Sequence, residues 1–385
     1  MGSNILITGA AGYIGGSVVA DFLASNSTLI KKEQITAAVR SAEQANALSK
    51  SGINVLQLDL TDEKAVVDSV LRHNIGIAIN TASSIDPRPA LHLIAALSKQ
   101  REVSGQQTYF IHTSGMSAFF ESTAWPQNET KDTRAVFDRE KQLADSFPIR
   151  KTDVAVIEHA KARGVTSFIV VPPLVYGKGS GEWNKLSVVL PVLVQAFISR
   201  KKVYRFAENT KASGVHISDL TALYGLLVEK ILQKETPPSG VDGYYFALAH
   251  DYIQPEFLEH LAVALQARGL VTDPTPQLWP SDEFAAESLG IPLQFVQLMW
   301  NSGYVLPPPP LRIERLVPSS KAHLTKYSSD TIVSENPYRL GWKPAWSKDR
   351  FLQNVDDEIE AVLQLGKAKS SLVDSLFDVA TEQVQ

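Results

Sequence analysis

Apolar positions at the start of the chain change their spacing around a glycine-rich turn. Residues 4–7 form a short, mostly apolar run, which predicts a strand buried on both faces. Beyond this run, apolar side chains recur at helical spacing, at Ile14, Val18, Val19, Phe22 and Leu23. The pattern therefore predicts a strand, a glycine turn and a helix in that order.

Strands and helices continue to alternate through the first half of the chain. Further strands are predicted at residues 35–40, 53–58, 75–80, 109–113 and 167–171. Helices are predicted at residues 90–97 and 152–163 and through Val66, Val67 and Val70. This rhythm is typical of the α/β class and predicts a Rossmann-type, doubly wound parallel sheet.

Three glycines at a three-residue spacing form the turn after the first strand. Such glycines permit the tight turn, let the backbone approach a pyrophosphate and let helix and strand pack closely. The helix N-terminus then presents free N–H groups to negative charge. The fingerprint predicts a dinucleotide cofactor, unless the turn merely joins strand to helix. The residues expected to hold the cofactor here are Gly9, Ala11, Gly12, Tyr13, Ile14 and Gly15.

The second predicted strand ends in Arg40, with no Asp or Glu at the strand end. In this type of fold that strand end faces the adenosine ribose. An acid there accepts from the 2′-OH of NAD, whereas an Arg pairs with the 2′-phosphate of NADP. We therefore expect NADP(H) to be preferred over NAD(H); the alternative is that Arg40 is a solvated charge.

The ends of the other strands carry small and polar residues. Asp59 is placed to contact the adenine, although Asp62 can equally serve only as the N-cap of the next helix. Small residues after the fourth strand let a cofactor lie across the strand ends. The expected contacts at these ends are Asp59, Leu60, Thr81, Ala82, Ser83, Thr113, Ser114, Pro172, Pro173 and Val175.

The length of 385 residues favours two lobes over one core. Residues 1–178 are assigned to the dinucleotide-binding domain, to which residues 213–248 return with a helix at 220–232 and a strand at 243–248. Residues 179–212, with a helix at 185–200, and residues 249–365 are assigned to a smaller, mostly helical substrate lobe. Residues 119–150 are expected to be irregular, and residues 366–385 to form a tail or helix.

Composition excludes several kinds of site. The chain has no cysteine, so it has no disulfide, no thiolate metal site and no cysteine nucleophile. A net charge of −4 argues against nucleic-acid binding. The longest apolar stretch, residues 188–197, is too short to cross a bilayer, and the first strand follows the start at once, so a cytoplasmic protein is expected. No His, Asp or Glu group has metal-ligand spacing, so no metal is expected.

Taken in order, these motifs resemble an extended short-chain dehydrogenase/reductase, in the NAD-dependent epimerase/dehydratase-like branch often met in fungi. The resemblance covers nearly the whole chain. It rests on the glycine fingerprint, Asp59, residues 81–83, the strand end at residues 113–114, and the segments 173–177, 215–219 and 340–344.

The resemblance breaks at the chemistry. In that family a Tyr-x-x-x-Lys pair on the helix after the fifth strand moves the substrate's proton, but no tyrosine here is followed four positions later by lysine. Counting back from Tyr176 places Ser146 and Arg150 at these positions, with Lys151 beside them, and the nearest echo is Phe137 to Lys141. The family's catalytic Ser or Thr falls on Gly115.

The candidates that remain for the chemistry are Ser117, Lys151, Tyr176 and Ser114. Tyr176 is either a proton donor or a structural member of its turn. Lys151 or Arg150 is expected to hold the ribose hydroxyls or polarise a substrate oxygen, unless it is a solvated helix start. His216 is expected to be structural, with Asp219 capping the following helix.

Three functions are therefore considered. The first is NADP(H)-dependent reduction of a carbonyl, enone or imine on a mid-sized apolar metabolite, with a non-standard proton donor. It is motivated by Arg40 and by aromatic residues that either line a pocket or form the second lobe's core: Trp183, Trp279, Trp300 and Tyr304. The second is an epimerase, dehydratase or isomerase that keeps its cofactor bound. The third is a non-catalytic NADP(H)-binding sensor or scaffold. A small-molecule partner and a monomer or homodimer are expected.

Overall fold

The computed structural model describes residues 4–126, 129–208, 210–296, 303–305 and 332–369. In chain order its strands are β1 (Asn4–Thr8), β2 (Ile35–Val39), β3 (Asn54–Gln57), β4 (Ile75–Asn80), β5 (Tyr109–Thr113), β6 (Thr130–Lys131), β7 (Thr166–Val171), β8 (Leu174–Tyr176), β9 (Tyr204–Arg205), β10 (Thr210–His216), β11 (Tyr244–Phe246), β12 (His250–Ile253), β13 (Gln277–Leu278), β14 (Gly303–Val305) and β15 (Ile332–Val333).

The α-helices are α1 (Tyr13–Ala24), α2 (Ala42–Ser49), α3 (Glu63–Arg72), α4 (Arg88–Ser104), α5 (Val136–Gln142), α6 (Pro148–Arg163), α7 (Val189–Arg200), α8 (Ile217–Leu232), α9 (Gln254–Ala267), α10 (Asp282–Leu289), α11 (Asn336–Leu340), α12 (Lys348–Gln353) and α13 (Val355–Leu365). The strands and helices predicted in the first half are all present, with ends shifted by a few residues. Residues 119–150, expected to be irregular, include β6, α5, the start of α6 and 3-10 turns at residues 121–123 and 144–146.

Seven parallel strands form the central sheet, in the order β3-β2-β1-β4-β5-β7-β11. The chain builds outward from β1 to β3, then returns to the other side of β1 to add β4. Ligands of doubly wound sheets bind outside the carboxyl ends of the strands at this switch point. The ends of β1 and β4 are therefore the place in this fold where a ligand is expected. The expected α/β class is confirmed.

Two layers of helices cover the sheet, and alternate residues of each strand face one layer or the other. In β1, Leu6 packs in the cluster under α3, α4 and α6, whereas Ile5 and Ile7 pack in the cluster under α1 and α8. Both faces of the sheet are covered, so β2 and β4 are buried at every position.

The second lobe is built around a small sheet as well as helices. β10 pairs antiparallel with β12 and β14 and parallel with β8. Residues 213–216, the start of the segment expected to return to the main sheet, therefore lie in the second lobe's sheet as part of β10. The predicted strand at 243–248 enters the main sheet as β11. Trp279 stacks on Tyr204 at 4.5 Å inside this lobe's core. Trp279 is therefore a packing residue of the core and does not line a pocket. Trp300 lies outside the described residues.

Residues 332–342, which fall within a segment assigned to the second lobe, pack on the dinucleotide half. β15 pairs with β6, and the buried Asp132 carboxylate accepts the backbone N–H groups of Phe246, Glu335 and Asn336. Trp342 is buried in the cluster under α8. The two lobes therefore interleave along the chain more than the predicted boundaries allow.

A glycine-containing loop, residues 177–181, lies on α1 and joins the two lobes. The Tyr13 hydroxyl donates to the Gly177 carbonyl at 2.7 Å, and the Ser180 N–H donates to Ser17 Oγ at 3.3 Å. A Cβ at Gly181 would lie 2.8 Å from the backbone of Gly16. Glycine is required at this crossing because two backbones touch.

No helix within the described ranges is long and apolar enough to cross a membrane.

The close packing of α1 can be tested with alanine in two helices that pack together. A Cβ at Gly15 would overlap the Gly9 carbonyl and Thr81 Oγ1, whereas a Cβ at Gly225 in α8 would meet only the Phe22 ring, at 3.8 Å. We expect Gly15→Ala to lower the free energy of unfolding by about 1–3 kcal/mol. Gly225→Ala should leave it unchanged or raise it by about 0.5–1 kcal/mol. Urea unfolding measures both, and equal stabilities would contradict this packing.

Candidate functional site

The turn after β1 has the geometry that a dinucleotide needs. Gly9 has φ +67°, a left-handed conformation, and a Cβ there would lie 2.7 Å from Thr81 Oγ1. The Gly12 N–H donates to the Gly9 carbonyl at 2.7 Å, which closes the turn. Thr81 Oγ1 donates to the Thr8 carbonyl at 2.8 Å and ties the end of β4 to β1. The glycines are therefore required by contact as well as by conformation.

Helix α1 begins at Tyr13, with Gly12 as its N-cap and no side chain capping it. The first N–H groups of a helix have no partner within the helix and bind an anion there. The N–H groups of Tyr13, Ile14 and Gly15 belong to this first turn. With the glycine cradle beside them, these residues fit a pyrophosphate. Ala11 is buried under the turn.

Arg40 lies exposed directly after β2. Its backbone is fixed because Gln44 Oε1 accepts the N–H groups of Arg40 and Ser41, while Ser41 Oγ accepts the Gln44 N–H and caps α2. The guanidinium makes no hydrogen bond or ion pair to any residue in the described part of the chain. A free cation on an anchored backbone at this strand end fits a phosphate on the ribose.

The two acids after β3 have separate roles. Asp62 caps α3 by accepting the Ala65 N–H at 3.0 Å, so the capping alternative holds for that residue. Asp59 is exposed and accepts from the N–H and hydroxyl of Thr61, which hold the pKa of its carboxyl below the ordinary value. Its contact with adenine remains a prediction, as does that of Leu60, whose carbonyl lies 2.9 Å from His92 Nδ1.

The end of β4 is open to the cleft. Ala82 is exposed, and Ser83 Oγ accepts the N–H groups of Ile85 and Asp86, which turns the chain toward α4. Thr81 is committed to its bond with β1. The contacts of residues 81–83 with a cofactor remain a prediction.

The end of β5 divides its side chains between the two layers. Thr113 Oγ1 lies 2.6 Å from the Tyr224 hydroxyl under α8, so its side chain packs below the sheet edge. Ser114 Oγ faces the other layer and donates to Asp153 Oδ2 of α6 at 2.5 Å. Of the two hydroxyls predicted here, Ser114 is therefore the one beside the start of α6.

Residues 172–175 lead from the main sheet into the second lobe. The Pro172 carbonyl accepts the Met116 N–H at 3.0 Å, which joins the ends of β5 and β7. Pro173 is half-buried, and Val175 pairs with Val215 in the second lobe's sheet. The contacts of these residues with a cofactor remain predictions.

The structure shows a Phe-x-x-x-Lys pair that the ungapped count from Tyr176 missed by one residue. Phe147 immediately precedes α6, and Lys151 lies in its first turn, exposed and without a side-chain partner among the described residues. A Cβ at Gly115 would touch Ile149 of the same turn, at 3.3 Å, so this turn lies beside the end of β5. Searching for Phe as well as Tyr before Lys would have found the pair.

The other Phe-x-x-x-Lys pair, Phe137 and Lys141, lies away from the strand ends. Phe137 is buried in the core, and Lys141 forms an ion pair with Glu158 of α6 at 2.5 Å. Of these two pairs, that of Phe147 and Lys151 is the one beside the end of β5, and the Phe147 ring has no hydroxyl to donate.

Arg150 has a different role from the one predicted. Its fully buried guanidinium donates to the carbonyls of Ala118 and Thr123 at 2.6 and 2.7 Å and also to the hydroxyls of Thr123 and Ser146. Burial lowers its pKa to about 10, which leaves it charged at neutral pH. This corrects the prediction of a ribose contact: Arg150 points away from the cleft and fixes the loop after β5 on α6.

Ser117 lies in that loop and is half-buried. Its hydroxyl has no hydrogen-bond partner among the described residues, and it would lie 3.8 Å from a Cβ at Gly115. The missing side chain at Gly115 therefore leaves Ser117 facing the end of β5, and Ser117 stays a predicted site residue.

Tyr176 lies in the core of the second lobe. It is fully buried among aromatic rings, and its hydroxyl lies 3.0 Å from His250 Nε2. Burial raises its pKa well above the ordinary value. This corrects the catalytic prediction for Tyr176, because a proton donor must reach the substrate.

His216 is structural, as expected, but it is His216 and not Asp219 whose side chain caps α8. His216 Nδ1 accepts the Ser218 N–H at the start of α8, and its ring stacks on Trp346 at 3.7 Å. The Asp219 carboxylate instead accepts the N–H groups of Ala345 and Trp346. Within the described ranges, no group of His, Asp and Glu is arranged to hold a metal.

The glycine cradle and the strand ends can now be compared with known proteins. Residues 1–104 match the model of the NmrA-like family.

A relative found by sequence is "Oxidase ucsJ" from Acremonium sp, which is 23% identical over 295 residues, or 70% of this chain and 81% of the relative. The L-threonine dehydrogenase of Clostridium difficile is 14% identical with a TM-score of 0.56 over 93% of this chain and 98% of its own. A UDP-glucose 4-epimerase from Thermus thermophilus, solved with NAD, is 15% identical with a TM-score of 0.54 over 93% and 99%.

At these identities the solved structures establish the fold alone. They share the Rossmann-type architecture along nearly the whole chain. Together with the NmrA-like match, they confirm the resemblance to dehydrogenases and epimerases of this fold that the motifs indicate.

Two adjacent residues of α6 test the division between structure and site. We expect Arg150→Met to lower the free energy of unfolding by about 2–4 kcal/mol, since buried carbonyls of residues 118 and 123 lose their donor. Lys151→Met should change it by less than about 0.5 kcal/mol, because Lys151 is exposed and unpaired. Urea unfolding followed by tryptophan fluorescence measures both. A larger loss for Lys151→Met would reverse the assignment.

Proposed function

We propose that this protein is an NADP(H)-dependent oxidoreductase that reduces a carbonyl, enone or imine on a mid-sized apolar metabolite. The observation that carries the proposal is the exposed Arg40, free of any partner in the described residues, on the same sheet edge as the glycine cradle. The relative named as an oxidase, and neighbours that are a dehydrogenase and an epimerase with NAD, support redox chemistry with a nicotinamide.

The proposed cofactor contacts follow the carboxyl edge of the sheet. The first turn of α1 would receive the pyrophosphate, Arg40 the 2′-phosphate and Asp59 the adenine. Residues 81–83 and the ends of β5 and β7 would border the nicotinamide half. When bound, the nicotinamide supplies or accepts the hydride.

Lys151 is the residue of α6 available for this chemistry. Its free, exposed ammonium lies in the turn that contacts the end of β5, where we propose that it holds the ribose hydroxyls or polarises a substrate oxygen. Phe147, four residues earlier, contributes an apolar face and no proton. The proton must therefore come from another group, and the hydroxyls of Ser114 and Ser117 lie next to this turn.

A second candidate function is favoured by the same phenylalanine. This candidate is an epimerase, dehydratase or isomerase that retains its cofactor, or a cofactor-binding sensor. Such a protein carries out no net reduction, so it does not need the missing hydroxyl to protonate a reduced product. These functions predict tight NADPH binding with no net NADPH oxidation in the presence of quinones, ketones or imines. Steady oxidation with such a compound would exclude them.

Cofactor choice tests the central proposal. We expect Arg40→Ala to weaken NADPH binding roughly 10- to 100-fold, as loss of a charged phosphate contact of about 1.4–3 kcal/mol implies, and to leave NADH binding unchanged. Lys161→Ala is the control, because Lys161 is an exposed cation in the last turn of α6, at the opposite edge of the sheet.

Titration followed by nicotinamide fluorescence measures the binding of NADPH and of NADH by the wild type and by both variants. If Arg40→Ala weakens both nucleotides equally, Arg40 does not read the phosphate. If the wild type binds neither nucleotide, the redox proposal is wrong.

A further inference from the structure

A group of buried polar side chains lies directly behind Ser114. Asp153 Oδ2 accepts the Ser114 hydroxyl, and Asp153 Oδ1 lies 3.4 Å from His112 Nε2. His112 and Asp153 are fully buried. Burial lowers the pKa of His112 to about 3, so the imidazole is neutral at physiological pH and supplies no charge to hold Asp153 ionised.

A second carboxyl, Glu140 of α5, completes the group. Glu140 is fully buried, accepts from the Tyr244 hydroxyl and interacts with Asp153 through a side-chain hydrogen bond. Neither Glu140 Oε1 nor Asp153 Oδ1 has a donor among the described residues. The side-chain hydrogen bond between the two carboxyls requires a proton on one of them, because two ionised carboxylates in contact away from water would repel strongly.

Ser114 links this buried pair to the carboxyl edge of the sheet. Ser114 is the first residue after β5 and is only 5% exposed, and its neighbour Gly115 carries no side chain. A Cβ at Gly115 would fill the space between Ile149 and Ser117 Oγ. Glycine therefore leaves this space unfilled, next to Ser114 and beside the first turn of α6, which carries Lys151.

We propose that Ser114 is the proton donor of the reductase and that the Asp153–Glu140 pair is its proton reservoir. This inference rests on the proposed function. Ser114 is then the catalytic residue, and Asp153 and Glu140 act through it. The arrangement supplies the proton that a tyrosine at position 147 would otherwise give.

The step balances for reduction of a ketone by a nicotinamide hydride donor. The carbonyl carbon gains the hydride, and the C=O π bond breaks. The carbonyl oxygen takes the Ser114 hydroxyl proton, and the Ser114 oxygen recovers a proton from the carboxyl pair through Asp153. The pair is left one proton short, and a proton from water in the cleft returns through Ser114 after the alcohol leaves.

Two hydride acceptors separate proton donation from hydride transfer. Phenanthrenequinone needs a proton on its oxygen when it is reduced, whereas an N-methyl dihydroisoquinolinium cation becomes a neutral amine with hydride alone. With NADPH, we expect Ser114→Ala and Asp153→Asn to slow quinone reduction by about 10²-fold or more. The same variants should slow iminium reduction by less than about threefold.

Thr152→Val is the matched control. Thr152 is fully buried beside Asp153 on α6, and its hydroxyl has no partner in the described residues. The substitution keeps the shape of the side chain and removes one buried hydroxyl next to the pair. Reduction of both compounds should stay at the wild-type rate.

The pH profile distinguishes a reservoir from a packing role for Asp153. The groups that face it are His112 of β5, Glu140 of α5 and Tyr244 of β11, and Arg150 of α6 favours the ionised form of Glu140. Burial raises the pKa of Asp153 to about 7. The wild-type rate of quinone reduction should therefore fall as pH rises through about 7, and Asp153→Asn should lose that step.

Infrared spectroscopy tests the reservoir without turnover. At neutral pH the wild type should show the C=O stretch of a protonated, buried carboxyl. Asp153→Asn should shift the frequency of this band because Glu140 loses its carboxyl partner, and Thr152→Val should leave it unchanged. Absence of this band in the wild type would show that the pair holds no proton and would overturn the reservoir.

The kinetic outcomes are separable. If Ser114→Ala slows both compounds equally, or slows neither, Ser114 is not the donor although the protein is a reductase. If the wild type binds NADPH and reduces neither compound, the proposed function is wrong, and the relay that rests on it is wrong as well.

Discussion

The carboxyl edge of the sheet depends on the contact between α1 and the ends of β1 and β4. Gly15 touches the Gly9 carbonyl and Thr81 Oγ1 with no space for a methyl group, and Thr81 is bonded to β1. This contact sets the direction in which the first turn of α1 points and the depth of the cleft above it. The exposed ends of β2, β4 and β5 take their places relative to that turn through the parallel register of the sheet.

Helix α6 supplies the other half of the site by presenting adjacent residues to different surroundings. Arg150 points inward and uses its planar group to bond the loop after β5, while Lys151 points outward with no partner in the described residues. Asp153 lies half a turn further on, against the end of β5. One helix thus fixes the loop, offers a cation to the cleft and encloses an acid.

The fold was predictable because its determinants are local. Apolar runs of strand length, helical spacing and the glycine turn each specify an element, and their alternation specifies the parallel sheet. The positions of Gly9, Gly15 and Arg40 at the sheet edge followed from the same patterns. Contacts between distant segments left no such signal, which is why β10 was predicted in the wrong sheet.

The chemistry at α6 was harder to predict for a related reason. Whether a charge points inward or outward depends on the helix's orientation against loops far away in sequence, so the sequence left both Arg150 and Lys151 as candidates. The buried Asp153 and Glu140 come from two helices, and their pairing depends on how those helices pack. The sequence left Tyr176 as a candidate site residue because the sequence of a turn does not show whether a side chain faces a binding site or packs in a core.

The loop at residues 177–181 has a consequence for how the chain can be divided. Glu358 of α13 accepts the Gly177 N–H, and the Gly177 carbonyl accepts the hydroxyl of Tyr13 in α1. Burial raises the pKa of Glu358 to about 7. Helices α1 and α13 are thereby joined through Gly177, so an excised dinucleotide-binding fragment would lack part of its own support.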